Sequence, residues 1–324
     1  MERRTKQVDI TKIKETTDEL AANINRVIVG KGEVIKLVLV ALFCEGHVFI
    51  EDVPGIGKTM LAKATAKSLD CSFKRIQFTP DLLPSDVTGI YYFNQKNSEF
   101  EFRPGPIFAN IVLADEINRA TPRTQSCLLE GMQERQVTVD VETMPLPRPF
   151  MVIATQNPVE LEGTFPLPEA QLDRFLLRVR LGYPDSDEEN TILTRFQEEN
   201  PLGSLEPVIK ASELIQFQKL CRRVYVEQSV RNYIIAITRA TRDHKGISLG
   251  ASPRASLNLY LASQAMAAIN GRDYVIPDDV KRLAVPVLAH RIIVKTETGI
   301  RGHSAETIIK EILDEIPVPV EETA

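Results

Sequence analysis

Residues 48–66 read Val48-Phe49-Ile50-Glu51, then Asp52-Val53-Pro54-Gly55-Ile56-Gly57-Lys58-Thr59, then Met60-Leu61-Ala62-Lys63-Ala64-Thr65-Ala66. A short apolar strand, a loop with two glycines and a helical run follow one another directly. That order suits a phosphate, because backbone N–H groups and the positive end of the helix dipole converge on one point and glycine lets the main chain approach an anion. Lys58 is then placed to reach the outer phosphates of a nucleotide and Thr59 to set its hydroxyl on a magnesium ion. The strict form of such a loop begins with glycine, and this chain has Asp52 in that position. A Gly-Lys-Thr triplet in a loop also arises by accident, so a second motif has to carry weight.

It follows about 55 residues on, where the apolar run Ile111-Val112-Leu113-Ala114 ends in Asp115-Glu116. A buried strand that delivers two adjacent carboxylates is the Walker B arrangement that accompanies a phosphate loop. Asp115 is expected to hold Mg²⁺ through its shell and Glu116 to polarise the attacking water. An acidic pair can also simply open a helix, but the joint occurrence of loop and pair points to ATP and Mg²⁺.

From residue 9 to 181 short β-rich runs alternate with helical patterns, which predicts a parallel sheet covered by crossover helices. The candidate strands are Val48–Glu51, Phe73–Phe78, Ile111–Ala114, Phe150–Thr155 and Phe175–Leu181. Two further segments read as hairpins: Ile90–Arg103, turning near Asn97-Ser98, and Gln136–Arg148, turning near Glu142. They are either edge decoration or contact surfaces.

After Gly182-Tyr183-Pro184 the strand signals stop, and Ser186 with Glu189 reads as a capping box. Val230, Tyr233, Ile234 and Ile237 share one helical stripe. Further helices should begin at Ser252-Pro253 and near Pro277-Asp278-Asp279. The fold class is therefore α/β: a phosphate-loop core of residues 1–183, with a five-stranded parallel sheet and hairpin insertions, followed by an all-helical domain of residues 184–324.

Thirty-nine basic against 44 acidic residues give a formal charge of -5, without the basic stripe that nucleic acid requires. No apolar run approaches the ~20 residues of a membrane helix, and no secretion signal is evident, so a cytoplasmic protein is expected. Cys44, Cys71, Cys127 and Cys221 form no CxxC pair, and the four histidines show no metal spacing. A GTPase reading fails for want of an NKxD motif.

The residues following Asp115-Glu116 complete a larger pattern. Ile117-Asn118-Arg119-Ala120, Gln125, Leu128-Leu129-Glu130 and Met132-Gln133-Glu134-Arg135 lead to Ala154-Thr155-Gln156-Asn157-Pro158. Glu162-Gly163-Thr164, Pro166-Leu167-Pro168-Glu169-Ala170-Gln171-Leu172-Asp173-Arg174-Phe175 and Ser252-Pro253-Arg254 come after them. In this order they resemble the AAA+ superfamily, and within it the MoxR family, over nearly the whole chain.

The resemblance implies a lid role for the helical domain and assigns Asn157 as sensor 1, Arg174 as an arginine finger and Arg254 as sensor 2. A turn-forming Asn, a surface Arg paired with Asp173, and a solvated Arg at a helix start are the respective alternatives. Ile28-Val29-Gly30 is similar to an adenine-pocket segment, so Val29, Gly30 and the loop from Pro54 through Gly55, Ile56, Gly57, Lys58 and Thr59 to Met60 are the expected nucleotide contacts, with Arg254. Lys58, Asp115, Glu116, Asn157 and Arg174 are the expected catalytic set.

A finger that serves a neighbour implies head-to-tail closure into a ring homo-oligomer, a hexamer by resemblance. Relatives of this kind mature other proteins in a chaperone-like manner, often with a von Willebrand factor A domain partner. An ATP-gated scaffold with little turnover and the motor of a chelatase-type metal-insertion complex are the alternatives, and a DNA-remodelling motor is disfavoured by the acidity.

Overall fold

The computed structural model describes residues 2–319 apart from 141, 160–162, 198–199 and 301. Helices α1 (Glu2–Asn25) and α2 (Gly32–Phe43) precede β1 (Val48–Glu51), α3 (Lys58–Ser68) and β2 (Phe73–Gln77). Helix α4 (Pro84–Thr88) leads into the hairpin β3 (Gly89–Asn94) and β4 (Glu99–Pro104), before β5 (Ile111–Asp115) and α5 (Pro122–Glu134). A second hairpin, β6 (Gln136–Val139) with β7 (Glu142–Pro145), returns to β8 (Met151–Gln156), α6 (Glu169–Leu172) and β9 (Leu177–Val179). The remainder is α7 (Ser186–Phe196), α8 (Ala211–Cys221), α9 (Gln228–Asp243), β10 (Ile247–Leu249), α10 (Pro253–Ile269), α11 (Pro277–Leu288), β11 (Ile293–Val294), α12 (Thr296–Ile300) and α13 (Ala305–Glu315).

The main sheet has five strands in the order β2-β5-β8-β1-β9, every pair parallel. Side chains alternate across it as the pleat requires. Val48, Ile50, Ile111, Leu113, Met151 and Ile153 face the helices α1, α2 and α3, whereas Phe49, Val112, Ala114, Val152 and Ala154 face α5. Gln77 pairs with Asp115 and Glu51 with Gln156, so four strands end at one level. Ligands of open parallel sheets bind at such carboxyl ends.

The first apolar cluster runs without a break from that sheet face into α8, α9, α10, α11 and α13. Helix α1 is the joint: Ile13, Leu20 and Ile24 are fully buried, and the helix touches α2 and α3 on one side and α8 and α10 on the other.

Several boundaries differ from those the sequence suggested. The capping box of α7 lies one residue earlier, with Asp185 Oδ1 accepting from Glu188 N at 2.8 Å and Asp185 N donating to Glu188 Oε2 at 3.1 Å. Glu142 opens β7 and lies past the second turn. The C-terminal helices also enclose an antiparallel ribbon of β10 and β11, too short to register as a period-2 pattern. Asn97-Ser98 closes the first hairpin as expected. One of its faces carries an aromatic ladder in which Phe93 meets Phe100 at 5.4 Å and Tyr91 meets Phe102 at 5.3 Å. Tyr91 Oη donates to Glu142 Oε2 at 2.5 Å, tying the two hairpins together.

His47 enters β1 buried, its Nε2 donating to Met132 O at 3.0 Å and its Nδ1 accepting from Val152 N at 3.0 Å. That network fits only a neutral ring, and burial, with the Arg135 guanidinium second, lowers its pKa from 6.5 to about 3. The unfolded chain therefore binds the extra proton between those values. Stability is full above pH 6.5 and is lost as pH falls toward 3, with a slope of up to about 1.4 kcal/mol per pH unit from this residue. Denaturant titrations at pH 7 and pH 5 should show the loss, and His47→Gln should flatten it.

Candidate active site

The loop leaves β1 at Asp52, and the aspartate that replaces the usual glycine does so for a visible reason. Its Oδ1 accepts from Val53 N at 2.9 Å and its Oδ2 from Leu181 N and Gly182 N, both at 2.8 Å. The carboxylate thus pins the start of the loop to the chain just after β9. Gly55 and Gly57 hold φ of 85° and 92°, and a Cβ on either meets no protein atom within 4 Å. Glycine is required there by the left-handed backbone alone, and the face of the loop lies open to an anion. Helix α3 begins at Lys58, whose Nζ donates to Asp52 O at 2.7 Å. Burial lowers the pKa of Lys58, opposed by the carboxylates of Asp115, Asp52 and Glu116.

Strand β5 carries its acids to the same place. Asp115 Oδ1 accepts from Thr155 Oγ1 at 2.6 Å, and the same hydroxyl accepts from Glu116 N at 2.9 Å. Glu116 adopts φ 56° and turns its side chain toward β2, where Gln77 Nε2 donates to Glu116 Oε2 at 3.0 Å. Asn157 is buried at the end of β8 and accepts from Val159 N at 3.1 Å. It makes a turn, as its alternative reading had it, and also lines the cleft. Lys58, Thr59, Arg75, Asp115, Glu116 and Asn157 together border a cleft of about 320 Å³.

A second cavity of about 420 Å³ adjoins it across Pro54, Gly55, Gly57 and Met60. Ile28 and Val29 form one wall, Ile56 the floor beside the loop, and Tyr183, Ile192, Leu193 and Phe196 the other wall. Gly30 stands behind it with φ 72°, and a Cβ there would fall 1.7 Å from Glu188 Oε1. That carboxylate needs the room because it pairs with Lys31 Nζ at 3.2 Å. The apolar cavity beside the phosphate loop has the size and lining of a base pocket.

Arg174 and Arg254 line neither cavity. Arg174 borders a shallow cleft with Glu130, Glu134 and Gln171. Asp173 is engaged elsewhere: Arg291 Nε donates to its Oδ1 at 2.8 Å, Ser252 Oγ to its Oδ2 at 3.3 Å, and Arg254 Nη1 lies 3.7 Å from that oxygen. Arg254 therefore sits beside the segment that carries Arg174, away from the phosphate loop of its own chain. The sequence reading missed Arg75, Gln77 and Thr155, polar groups on neighbouring strands, and the apolar side chains of α7. The one available signal was the polar face of Lys74-Arg75-Ile76-Gln77, whose neighbour could not be known.

The donor set suits a nucleotide-bound magnesium ion. Thr59 and Asp115 border the cleft, and Asp115 already accepts a guanidinium, so its carboxylate takes positive charge. No group of three acidic, His or Cys side chains among the described residues could hold a metal unaided.

Asp52→Ala deprives Val53, Leu181 and Gly182 of an acceptor and should cost about 2–3 kcal/mol. Asp52→Gly, which restores the strict loop pattern, should destabilise as well. Urea unfolding followed by circular dichroism measures both, and a stability within about 0.5 kcal/mol of the parent chain would contradict the pinning role.

Known proteins agree with this geometry. Residues 47–177 match the model of the ATPase family associated with various cellular activities, and residues 239–312 match the AAA lid domain. The chain is 54% identical over 302 residues to the Bacillus subtilis protein YeaC, covering 93% of this chain and 94% of that one. It is 40% identical over 313 residues to chaperone MoxR1 of Mycobacterium tuberculosis, covering 94% and 82%. A solved structure from Cytophaga hutchinsonii superposes with a TM-score of 0.92 at 39% identity, covering 99% of this chain and all of that one. With a phosphate loop, a nucleotide cleft and a helical lid in the family's order, the chain belongs to the MoxR family of AAA+ ATPases.

Proposed function

We propose that the chain hydrolyses Mg·ATP in a head-to-tail ring and uses the cycle to remodel partner proteins. One observation carries the reading. Lys58, Thr59, Asp115, Glu116 and Asn157 border a single cleft that neither Arg174 nor Arg254 lines, Arg254 lying against Asp173, the residue before Arg174. A site divided in this way is complete only when a second copy brings its arginines to the nucleotide. Residues 1–183 then act as the nucleotide-binding core and 184–324 as the lid.

Each side chain has a task that follows from its position. The N–H groups of the loop and the Lys58 ammonium bind and orient the phosphates. Thr59 and Asp115 would hold the magnesium ion, which supplies charge neutralisation on the phosphates. Glu116 orients and polarises water, and Asn157 fixes that water against the terminal phosphate. Arg174 of the adjacent copy stabilises charge that develops in transfer, worth roughly 10³ in rate or more in other nucleotidases. Arg254 lies 3.7 Å from the carboxylate of Asp173, the residue that precedes Arg174, so the helical domain of one copy reaches the segment that carries its finger.

The output is mechanical. Phe93 and Phe100 stand exposed on the first hairpin, and Tyr91 couples that hairpin to the second, which follows α5 from the Walker acids. A relative named as a chaperone supports protein remodelling as the use of that motion.

Lys58→Ala should abolish ATP binding, whereas Glu116→Gln should bind ATP and lose turnover; equal loss of binding in both would contradict this division of tasks. Arg174→Ala should keep nucleotide affinity and lose about 10³-fold in turnover. Mixing it with Lys58→Ala should restore activity through hybrid interfaces, measured as steady-state hydrolysis with mass photometry on the same samples.

A further inference from the structure

Asp115 is held on both oxygens before any nucleotide is considered. Thr155 Oγ1 donates to Oδ1 at 2.6 Å, and Arg75 donates to Oδ2 from Nε at 3.0 Å and from Nη2 at 2.5 Å. Arg75 lies on β2 two residues before Gln77, so both project from the same face of that strand. Arg75 Nη2 also donates to Gln77 Oε1 at 2.5 Å. The guanidinium is a permanent cation, and it occupies the oxygen of the one acid expected to share charge with a nucleotide's magnesium. The Asp115 side chain is 11% exposed and that of Arg75 is 47% exposed. The carboxylate is therefore fixed, and the guanidinium is the partner able to swing into the cleft that both border.

We propose that Arg75 is a positioning residue that gates the magnesium site, holding Asp115 in the empty chain and releasing it when a triphosphate arrives. The inference rests on the nucleotide reading of the cleft. Two cations on one carboxylate oxygen repel, so Arg75 must leave Asp115 for magnesium to gain from it. A terminal phosphate offers the departing guanidinium a bidentate acceptor. A diphosphate lacks that group, Arg75 stays on Asp115, and magnesium adds little. The strand thereby distinguishes ATP from ADP at the metal as well as at the phosphate. A tether between β2 and β5, the simpler role, would stabilise the sheet without any such preference.

Fluorescent ADP and a non-hydrolysable ATP analogue are titrated into the full chain, Arg75→Ala and Arg75→Lys, each with Mg²⁺ and with EDTA, and melting is recorded on the same samples. Arg75→Ala should raise the magnesium dependence of ADP binding about tenfold and lower the preference for ATP over ADP about tenfold, the scale of one charge-assisted hydrogen bond. Arg75→Lys, which keeps the charge, should restore part of both ratios. Unchanged ratios with a lower melting temperature would overturn the gate and leave a tether. Failure of the parent chain to bind either nucleotide, or binding by Lys58→Ala equal to the parent's, would overturn the nucleotide reading and the gate with it.

Discussion

The carboxylate of Asp52 is the constraint on which the site depends. Three backbone N–H groups, from Val53, Leu181 and Gly182, converge on it. Through them the phosphate loop is fastened to the chain leaving β9, and the Asp52 carbonyl in turn receives Lys58. The N-terminus of α3, the loop and the entry to α7 are thus set by one side chain. The three bonds share one carboxylate and do not add, so together they are worth about the 2–3 kcal/mol expected for removing it. The aspartate is therefore a substitute for the usual glycine with a structural task of its own.

From that fixed point the cleft is built by strand ends. Parallel pairing aligns Gln77 with Asp115 and Glu51 with Gln156, so polar side chains from β2, β5 and β8 meet above the loop. Their hydrogen bonds form one network: Thr155 orders both Asp115 and the backbone of Glu116, while β2 supplies Arg75 to one acid and Gln77 to the other. Acids without such partners would be costly where they are buried; the donors to Asp115 come from the neighbouring strands β2 and β8, and Glu116 receives Gln77 from β2 and Arg119 from the turn that follows β5.

The helical lid is joined to the core by apolar packing and by charged contacts. Helix α1 and the sheet share one continuous apolar cluster with α8 to α11, which resists wholesale separation. Polar contacts at Asp173 and those that join Glu51, Arg178, Arg180 and Glu306 add charged links across the same boundary.

The sequence by itself determined the five strands of the main sheet, the loop, the Walker acids and the apolar stripe of α9, because each is written in local periodicity or in residues adjacent along the chain. Val230, Tyr233, Ile234 and Ile237 were legible as a buried face for that reason. Tertiary structure alone decided the strand order, and with it the meeting of Arg75 and Gln77 with Asp115 and Glu116. It also decided that α7 walls the apolar cavity beside the loop and that Arg254 stands with Asp173 and does not line the cleft at its own phosphate loop. Those relations join residues far apart in sequence, and nothing in a one-dimensional pattern specifies which sheet edge or helix end a polar side chain will find when apolar faces close over one another.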